Sequence, residues 1–405
     1  MEKEKFEEAR TVVCDGNKAA AHAVRLCRPD IISFYPITPQ TPLLENLYSW
    51  SGDGLIDADF VEVEGETSAI GVASGASAAG GRTFTASSGA GLAYMFSGYL
   101  WPSAFRLPVV MVNVNREQSP PVQVAGGNSD MMSVKDGGWI QIHVEDCQEI
   151  LDTLIMAYRL AEDPEILLPV QVSYDGFVLS HLSQNVSIPA QKDVDRFLPP
   201  IASIKRPLLD PDLGTAFATW VRGELLSEFY YKRCDAMERS KKKIEEVERH
   251  FKALFSRSYG GLIEEYLTED AEILMISLGS QVGTMRVAVD RAREKGIKVG
   301  LVKIRVFRPF PIEKLAAVFK GKKAIGVYEK SPCWGWNRGH ICMEIIGVLG
   351  ESGNTIPIVN FLGGMGSIDI TIEEVQKSIA ITKKAGDGFS YKKTYWMPLE
   401  DTLDD

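Results

Sequence analysis

A chain of 405 residues that is 45% hydrophobic and 24% charged has the composition of an ordinary globular protein, long enough for two or three domains with a large buried core. Its formal charge of -10 argues against a nucleic-acid or anionic-membrane partner, and the run Lys241-Lys242-Lys243 is answered at once by Glu245, Glu246 and Glu248, as on a solvated helix face. The opening Met1-Glu2-Lys3-Glu4-Lys5-Phe6 is too charged for a signal peptide and no apolar run reaches bilayer-spanning length, so a cytoplasmic location is expected.

In chain order, residues 10–180 alternate short β-rich runs with helix-like segments. Strands are predicted at Ile31–Tyr35, Asp59–Val63, Thr83–Ala86, Pro108–Val114, Ile140–Val144 and Pro169–Ser173, and helices at Ala19–Cys27, Thr67–Ala79, Gly91–Ala104 and Cys147–Ala161. Such alternation implies a parallel sheet covered on both faces, with the loops that follow the strands gathered along one edge. Two of those loops stand out. In Tyr35-Pro36-Ile37-Thr38-Pro39 the prolines hold the chain extended and present Thr38, while Val61-Glu62-Val63-Glu64-Gly65-Glu66 ends a strand in a glycine turn with a carboxylate after it. The ordinary alternatives are that Thr38 caps a helix starting near Pro42 and that Glu66 is simply favoured at a helix N-terminus. Ser68 to Gly81 is crowded with small residues suited to close helix packing, and Thr85-Ala86-Ser87-Ser88-Gly89-Ala90-Gly91 is a hydroxyl- and glycine-rich turn without phosphate-fingerprint spacing.

Beyond residue 182 the character changes. Pro189, Pro199, Pro200, Pro207 and Pro211 punctuate a crossing arm, and a charged helical stretch runs from Thr215 to Phe255. A second α/β alternation follows, with strands at Ile273–Ser277, Val299–Ile304, Ala324–Glu329 and Pro357–Leu362 and a helix at Val282–Glu294. Gly363-Gly364-Met365-Gly366 lacks the context of a dinucleotide turn. The six cysteines (Cys14, Cys27, Cys147, Cys234, Cys333, Cys342) contain no Cys-x-x-Cys pair, so they read as free thiols, and any redox metal is expected on another chain. The expected fold is α/β, two parallel-sheet domains joined by a helical linker: residues 1–200, a linker over 201–264, a second domain over 265–385, and a tail over 386–405 whose Phe389, Tyr391, Tyr395 and Trp396, mixed with Asp401, Asp404 and Asp405, are expected to dock on a neighbouring chain.

Several short motifs, in order, carry a resemblance that spans nearly the whole chain: Tyr35-Pro36-Ile37-Thr38-Pro39, Val63-Glu64-Gly65-Glu66-Thr67-Ser68-Ala69, Arg82-Thr83-Phe84-Thr85-Ala86-Ser87, Asn115-Arg116 with Ser119 and Pro121, Asp130 with Asp136-Gly137-Gly138-Trp139-Ile140-Gln141, and Phe307-Arg308-Pro309-Phe310-Pro311. The chain resembles the α subunit of multi-subunit 2-oxoacid:ferredoxin oxidoreductases, the pyruvate:ferredoxin oxidoreductase superfamily of thiamine diphosphate enzymes. The resemblance implies a pyrimidine-binding first domain and a transketolase C-terminal-like second domain. It also implies thiamine diphosphate shared with a β subunit that holds Mg²⁺ and the diphosphate, iron–sulfur clusters on partner chains, γ- or δ-type subunits, coenzyme A as acyl acceptor, and ferredoxin or NAD as electron acceptor. Gly52-Asp53-Gly54 matches the start of the family's metal motif, but the next asparagine is the distant Asn113, so it reads as a turn.

Matched to the family motif, Glu66 is the carboxylate at the ring nitrogen of the aminopyrimidine, with Pro36, Ile37 and Ser88 also at the cofactor. Arg116 would pair with the 2-oxoacid carboxylate, Thr38 would donate to a substrate oxygen, and Ser119 and Asn128 would complete the substrate site. One departure concerns Ala125-Gly126-Gly127-Asn128, where pyruvate enzymes of the family tend to carry bulkier residues. Lost volume there would widen the pocket or free the loop, pointing to a substrate larger than pyruvate, such as phenylglyoxylate, or to one bound by loop backbone as in oxalate oxidoreductase. The rival readings are a non-catalytic scaffold subunit and a stand-alone nucleotide-binding oxidoreductase, the latter without a full glycine fingerprint.

Overall fold

The computed structural model describes residues 7–118, 120–201, 208–214, 220–397 and 399. The chain begins with β1 (Arg10–Cys14) and folds its first large sheet from β2 (Ile31–Phe34), β3 (Asp59–Glu62), β4 (Thr83–Ser87), β5 (Val109–Asn115), β6 (Ile140–His143) and β7 (Val170–Asp175), all mutually parallel. Every residue of β4, β5, β6 and β7 is buried, which is why these strands read as near-continuous apolar runs. Val110, Val112, Val114, Ile140, Ile142, Val170 and Val172 pack under the helices Gly16–Cys27 and Cys147–Ala161. The opposite face meets the small-residue helix Glu66–Ala78 and the pair Gly89–Tyr94 and Phe96–Ala104, where Tyr99 stacks on Trp139 at 4.5 Å. That pair replaces the single helix predicted over Gly91–Ala104; the two pieces meet at Met95, whose amide still donates to the Gly91 carbonyl.

The crossing arm has more order than its prolines imply. β8 (Gln184–Ile188) pairs antiparallel with β1 as a two-stranded ribbon, and the helix Gln191–Phe197 follows. Of the long helical stretch, Gly223–Phe255 is helix and Trp220 to Arg222 is not; Thr215 and Pro207 lie outside the described residues. The helix buries one stripe, Ala236, Ser240, Ile244, Val247 and Phe251, on the first domain's core, the spacing of a single helical face.

The second sheet has the order β17-β16-β13-β10-β11-β9, from β9 (Ile263–Tyr266), β10 (Ile273–Ser277), β11 (Val299–Ile304), β13 (Ala324–Glu329), β16 (Ile358–Leu362) and β17 (Thr394–Trp396), while β14 (Pro332–Cys333) and β15 (Arg338–Gly339) form a separate antiparallel pair. Two features revise the expected boundaries. Between β11 and β13 the chain crosses back, and β12 (Val306–Arg308) pairs antiparallel with β6, so residues inside the 265–385 span close the edge of the first sheet. The tail also turns inward: β17 pairs with β16 and Tyr395 stacks on Phe361 at 5.5 Å, so Tyr391 and Tyr395 are half-buried against this chain's own core. Pairing gives the outer backbone groups of β16 partners that an open edge would leave to solvent or to another chain. Phe389 remains exposed, and Asp401, Asp404 and Asp405 lie outside the described residues.

A buried ionic cluster joins the two domains. Lys303 Nζ lies 2.7 Å from Glu149 and 3.0 Å from Glu145, and Arg305 donates to Glu149 at 2.8 Å, to Thr153 at 2.8 Å and to the Gly261 carbonyl at 3.1 Å. Arg286 bridges Glu145 and Glu264, the latter at 2.9 Å. Burial works to raise the Glu149 carboxyl, but Lys303 and Arg305 outweigh it and hold the group below the ordinary glutamate range. Its contribution to stability is therefore present above the unfolded-state value and lost as pH falls through the lowered one. Replacing Glu149 with Gln removes the carboxylate that two buried cations share, leaving Lys303 to Glu145 and Arg305 to Glu248 at 3.7 Å, and the expected loss is about 3–5 kcal/mol in denaturant unfolding. A loss below about 1 kcal/mol, the range of exposed pairs, would show that the cluster is not what holds the domains together.

Candidate functional site

The loops that follow the first-sheet strands gather at their carboxyl ends, where ligands bind in open α/β sheets. Glu66 is the first residue of the helix Glu66–Ala78, with Gly65 before it, and only 5% of its surface is exposed. The helix start favours its negative charge. Gly91 lies beside it: a Cβ there would run into the Glu66 carboxylate and come 2.8 Å from Ser87 Oγ, a buried hydroxyl with no partner among the described residues. An acceptor carboxylate, an uncommitted hydroxyl and a missing side chain thus meet at one place.

Arg116 follows β5. Its Nη1 donates to the Thr38 carbonyl at 3.1 Å and its Nε to the Gln123 carbonyl at 3.2 Å, while its stem crosses Gly89, where a Cβ would sit 2.9 Å from Arg116 Cδ. Gly89 has φ +48°, a conformation that favours glycine, so the turn needs a glycine there for two reasons. Thr38, Arg116 and the turn next to Glu66 are therefore brought together. Thr38 is exposed and does not cap the following helix Thr41–Gly52, whose N-cap is Gln40. Pro36 is exposed and Ile37 half-buried on the same loop.

Two predicted site residues take another role. Ser88 is buried and its hydroxyl donates to the Val114 carbonyl at 2.7 Å, tying the ends of β4 and β5 together instead of facing a ligand. Asn128 is buried with its Oδ1 accepting from Asn115 at 3.2 Å, so it holds the loop from within. Ser119 lies outside the described residues. The glycines of Ala125-Gly126-Gly127-Asn128 do not leave open space: a Cβ on Gly126 would meet the Gly176 carbonyl oxygen at 2.5 Å, and one on Gly127 would enter the Glu117 carboxylate. The expected widening at these positions is thus corrected to close packing of backbone against backbone and against Glu117. Gly52 closes the helix Thr41–Gly52 and Gly54 has φ +69°, so Gly52-Asp53-Gly54 is a turn, as read.

The residue that sequence reasoning underrated is Asp130. Fully buried, it accepts from the Gly89 amide at 2.9 Å, Asn113 Nδ2 at 2.9 Å and the Arg116 amide at 3.0 Å through one oxygen, and from the Met131 amide at 2.7 Å through the other. Burial pushes its carboxyl up to about 6, against the pull of those donors. It was legible only as one acidic residue in a motif. Behind it runs a polar row, Ser87, Asn113, Ser173 and His143, each opposite the next across four strands. Burial lowers His143 to about 4, which keeps it neutral. At the end of β7, Asp175 pairs with Lys330 of the second domain at 3.0 Å and accepts from the Ser280 amide at 3.0 Å, and no local pattern signals a contact of that range.

Residues 22–249 match the family described as pyruvate flavodoxin/ferredoxin oxidoreductase, thiamine diphosphate-binding, and residues 271–375 match pyruvate:ferredoxin oxidoreductase core domain II. The chain is 40% identical to the NADH-dependent phenylglyoxylate dehydrogenase subunit alpha of Aromatoleum evansii, over 92% of this chain and 91% of that one. It is 38% identical to the pyruvate synthase subunit PorA of Methanosarcina barkeri, over 97% and 98%. The fold is similar to that of a 2-oxoglutarate:ferredoxin oxidoreductase from Magnetococcus marinus, solved with 2-oxoglutarate, coenzyme A and succinyl-CoA bound, with a TM-score of 0.69, 21% identity and coverage of 93% of this chain and 65% of that one. No helix among the described residues is long and apolar enough to cross a membrane. The chain belongs to the pyruvate flavodoxin/ferredoxin oxidoreductase family of 2-oxoacid oxidoreductases, and it aligns nearly end to end with that family's α-type subunits.

Proposed function

We propose that this chain is a catalytic α subunit that binds the aminopyrimidine of thiamine diphosphate through Glu66 and a 2-oxoacid through Arg116 and Thr38. One observation carries the reading: the Gly89–Gly91 turn has the Glu66 carboxylate at one glycine and the Arg116 side chain at the other, so cofactor and substrate groups share a few ångströms of backbone. The donor set fits the cofactor. A buried carboxylate can accept a hydrogen bond from a protonated ring nitrogen, and Ser87 Oγ, close to the same carboxylate across Gly91, has no partner among the described residues. Bound there, thiamine diphosphate supplies the carbon nucleophile and the electron sink for decarboxylation. Glu66 holds the ring-nitrogen proton, the Arg116 guanidinium offers a planar fork to the substrate carboxylate, and the exposed Thr38 hydroxyl donates to a substrate oxygen. In this reading a β subunit holds Mg²⁺ and the diphosphate, iron–sulfur clusters on partner chains take the electrons towards ferredoxin or NAD, coenzyme A accepts the acyl group, and γ- or δ-type subunits complete a cytoplasmic complex.

The substrate has two supported identities. An aryl 2-oxoacid such as phenylglyoxylate is favoured by the Aromatoleum relative. Pyruvate is favoured by the Methanosarcina relative and by the closed packing of Gly126 and Gly127, which leaves no added volume there. Turnover of the assembled complex on pyruvate, 2-oxoglutarate, oxalate and phenylglyoxylate separates them, and a strict preference for pyruvate removes the larger-substrate reading.

Replacing Glu66 with Gln should lower turnover of the assembled complex by about 10²–10⁴-fold, the usual worth of a positioned acid–base group. Unchanged turnover would favour a scaffold subunit. Asp130 generates a pH test. As pH falls through about 6 its carboxylate protonates and the Arg116 and Gly89 amides lose a charged acceptor, so kcat/KM should drop on the acid side. Asp130→Asn should lower kcat/KM at neutral pH and flatten that acid limb; an acid limb identical in the variant would remove Asp130 as its source. The stability contribution has the opposite sign. With the folded value raised, it is full below the unfolded aspartate value and lost as pH rises through about 6.

A further inference from the structure

The second domain reaches into the candidate site through a turn that the proposed chemistry does not use. After β16 the chain makes the turn Gly363-Gly364-Met365-Gly366-Ser367, in which Gly364, Gly366 and Ser367 have φ of +78°, +64° and +58°. A serine in the left-handed region is uncommon, and this one grips the Arg116 loop at two points. Its Oγ accepts from the Gly126 amide at 2.7 Å and its amide donates to the Gly126 carbonyl at 2.9 Å. Gly126 meets that grip with bare backbone, because a Cβ would also lie 3.1 Å from Ser367 Oγ. The neighbouring contacts belong to the same clamp. A Gly366 backbone hydrogen bond and the charge of Lys330 both act on Glu117, and the Gln123 side chain lies against Gly366. From there the path to the substrate group is short. The Gln123 carbonyl accepts from Arg116 Nε at 3.2 Å, and the Glu117 amide donates to the Ala125 carbonyl at 3.3 Å.

We propose that Ser367 is a positioning residue for the 2-oxoacid site, holding the return limb of the Arg116 loop so that the guanidinium stays aimed between Thr38 and Gln123. The inference rests on the reading of Arg116 as the substrate-carboxylate residue. Ser367 acts through the protein backbone. Its hydroxyl fixes Gly126, Gly126 fixes the loop, and the loop carries the carbonyl that orients Arg116.

Ser367→Gly in the full assembled complex removes the hydroxyl while suiting the positive φ, so the turn itself is retained. Losing one neutral hydrogen bond should raise the KM for the 2-oxoacid about three- to tenfold, with kcat within about twofold and thiamine diphosphate affinity unchanged. Amide exchange across residues 123–128 should quicken in the same variant. An unchanged KM with unchanged exchange overturns the proposal, as does a parallel fall in kcat, KM and cofactor affinity, which would mark a general packing role. Arg116→Lys, run beside it, separates the two claims. If it lowers kcat/KM by tenfold or more while Ser367→Gly is silent, only the role of Ser367 fails; if it is silent too, the substrate reading fails with it.

Discussion

The depth at which Lys303 and Arg305 are buried is the constraint on which the geometry of this chain depends. Two cations removed from water are tolerable only where carboxylates meet them at hydrogen-bond distance, and Glu149 and Glu145, on the first domain, supply those carboxylates. The pairing admits little sliding, because a shift of one side chain would leave a charge unpaired in a low-dielectric interior. With that seam fixed, β12 can pair with β6, Lys330 can reach Asp175, and Ser367 can reach Gly126. Each of these is a contact from the second domain to the carboxyl edge of the first sheet, or to the strand beside it.

Asp130 plays the corresponding part on a smaller scale. Four donors converge on its carboxylate, and they come from the turn after β4, the body of β5, the amide of Arg116 and its own helix. Burial raises its pKa, the sign of the desolvation cost of keeping that acceptor dry. The cost recurs at functional sites because an anion that organises several backbone amides fixes loop positions more tightly than neutral side chains do. Without it, Gly89 and Arg116 would share only the contact between the arginine stem and the glycine.

Much of this architecture is legible from residue pattern, for identifiable reasons. The central strands of both sheets are buried on both faces, so their apolar runs stand out, and their predicted limits fall within two residues of the observed ones. β1 and β8 are short, half-exposed and paired only with each other, and their mixed residues carry no such signal. Glu66, Thr38 and Arg116 are legible through motifs, since a proline-flanked threonine and a carboxylate after a glycine turn are local features. Asp175, Lys330, Lys303 and Ser367 are not, because their meaning lies in partners distant along the chain, 154 positions away for Lys303 and Glu149 and 241 for Ser367 and Gly126. The tail's packing is hidden for a related reason. Tyr391 and Tyr395 are aromatic enough to suggest a docking surface, and only the position of β16 shows that part of that surface packs on this chain's own core.

The glycines of the Arg116 loop show how far composition alone can carry a specificity argument. Read as missing volume, Gly126 and Gly127 imply a larger pocket, but volume removed from a side chain is available to a ligand only if nothing else takes it. Here the Gly176 carbonyl, Ser367 Oγ and the Glu117 carboxylate take it, so the glycines permit a close approach of backbones across the domain seam. In the proposed reading of Arg116, the size of substrate accepted depends on where the guanidinium is held, between the Thr38 and Gln123 carbonyls, more than on any space at Gly126 and Gly127. On that account a relative with bulkier residues at these positions must hold its second domain or its Glu117 equivalent differently, and discrimination among 2-oxoacids becomes a property of the seam between domains as much as of the pocket wall.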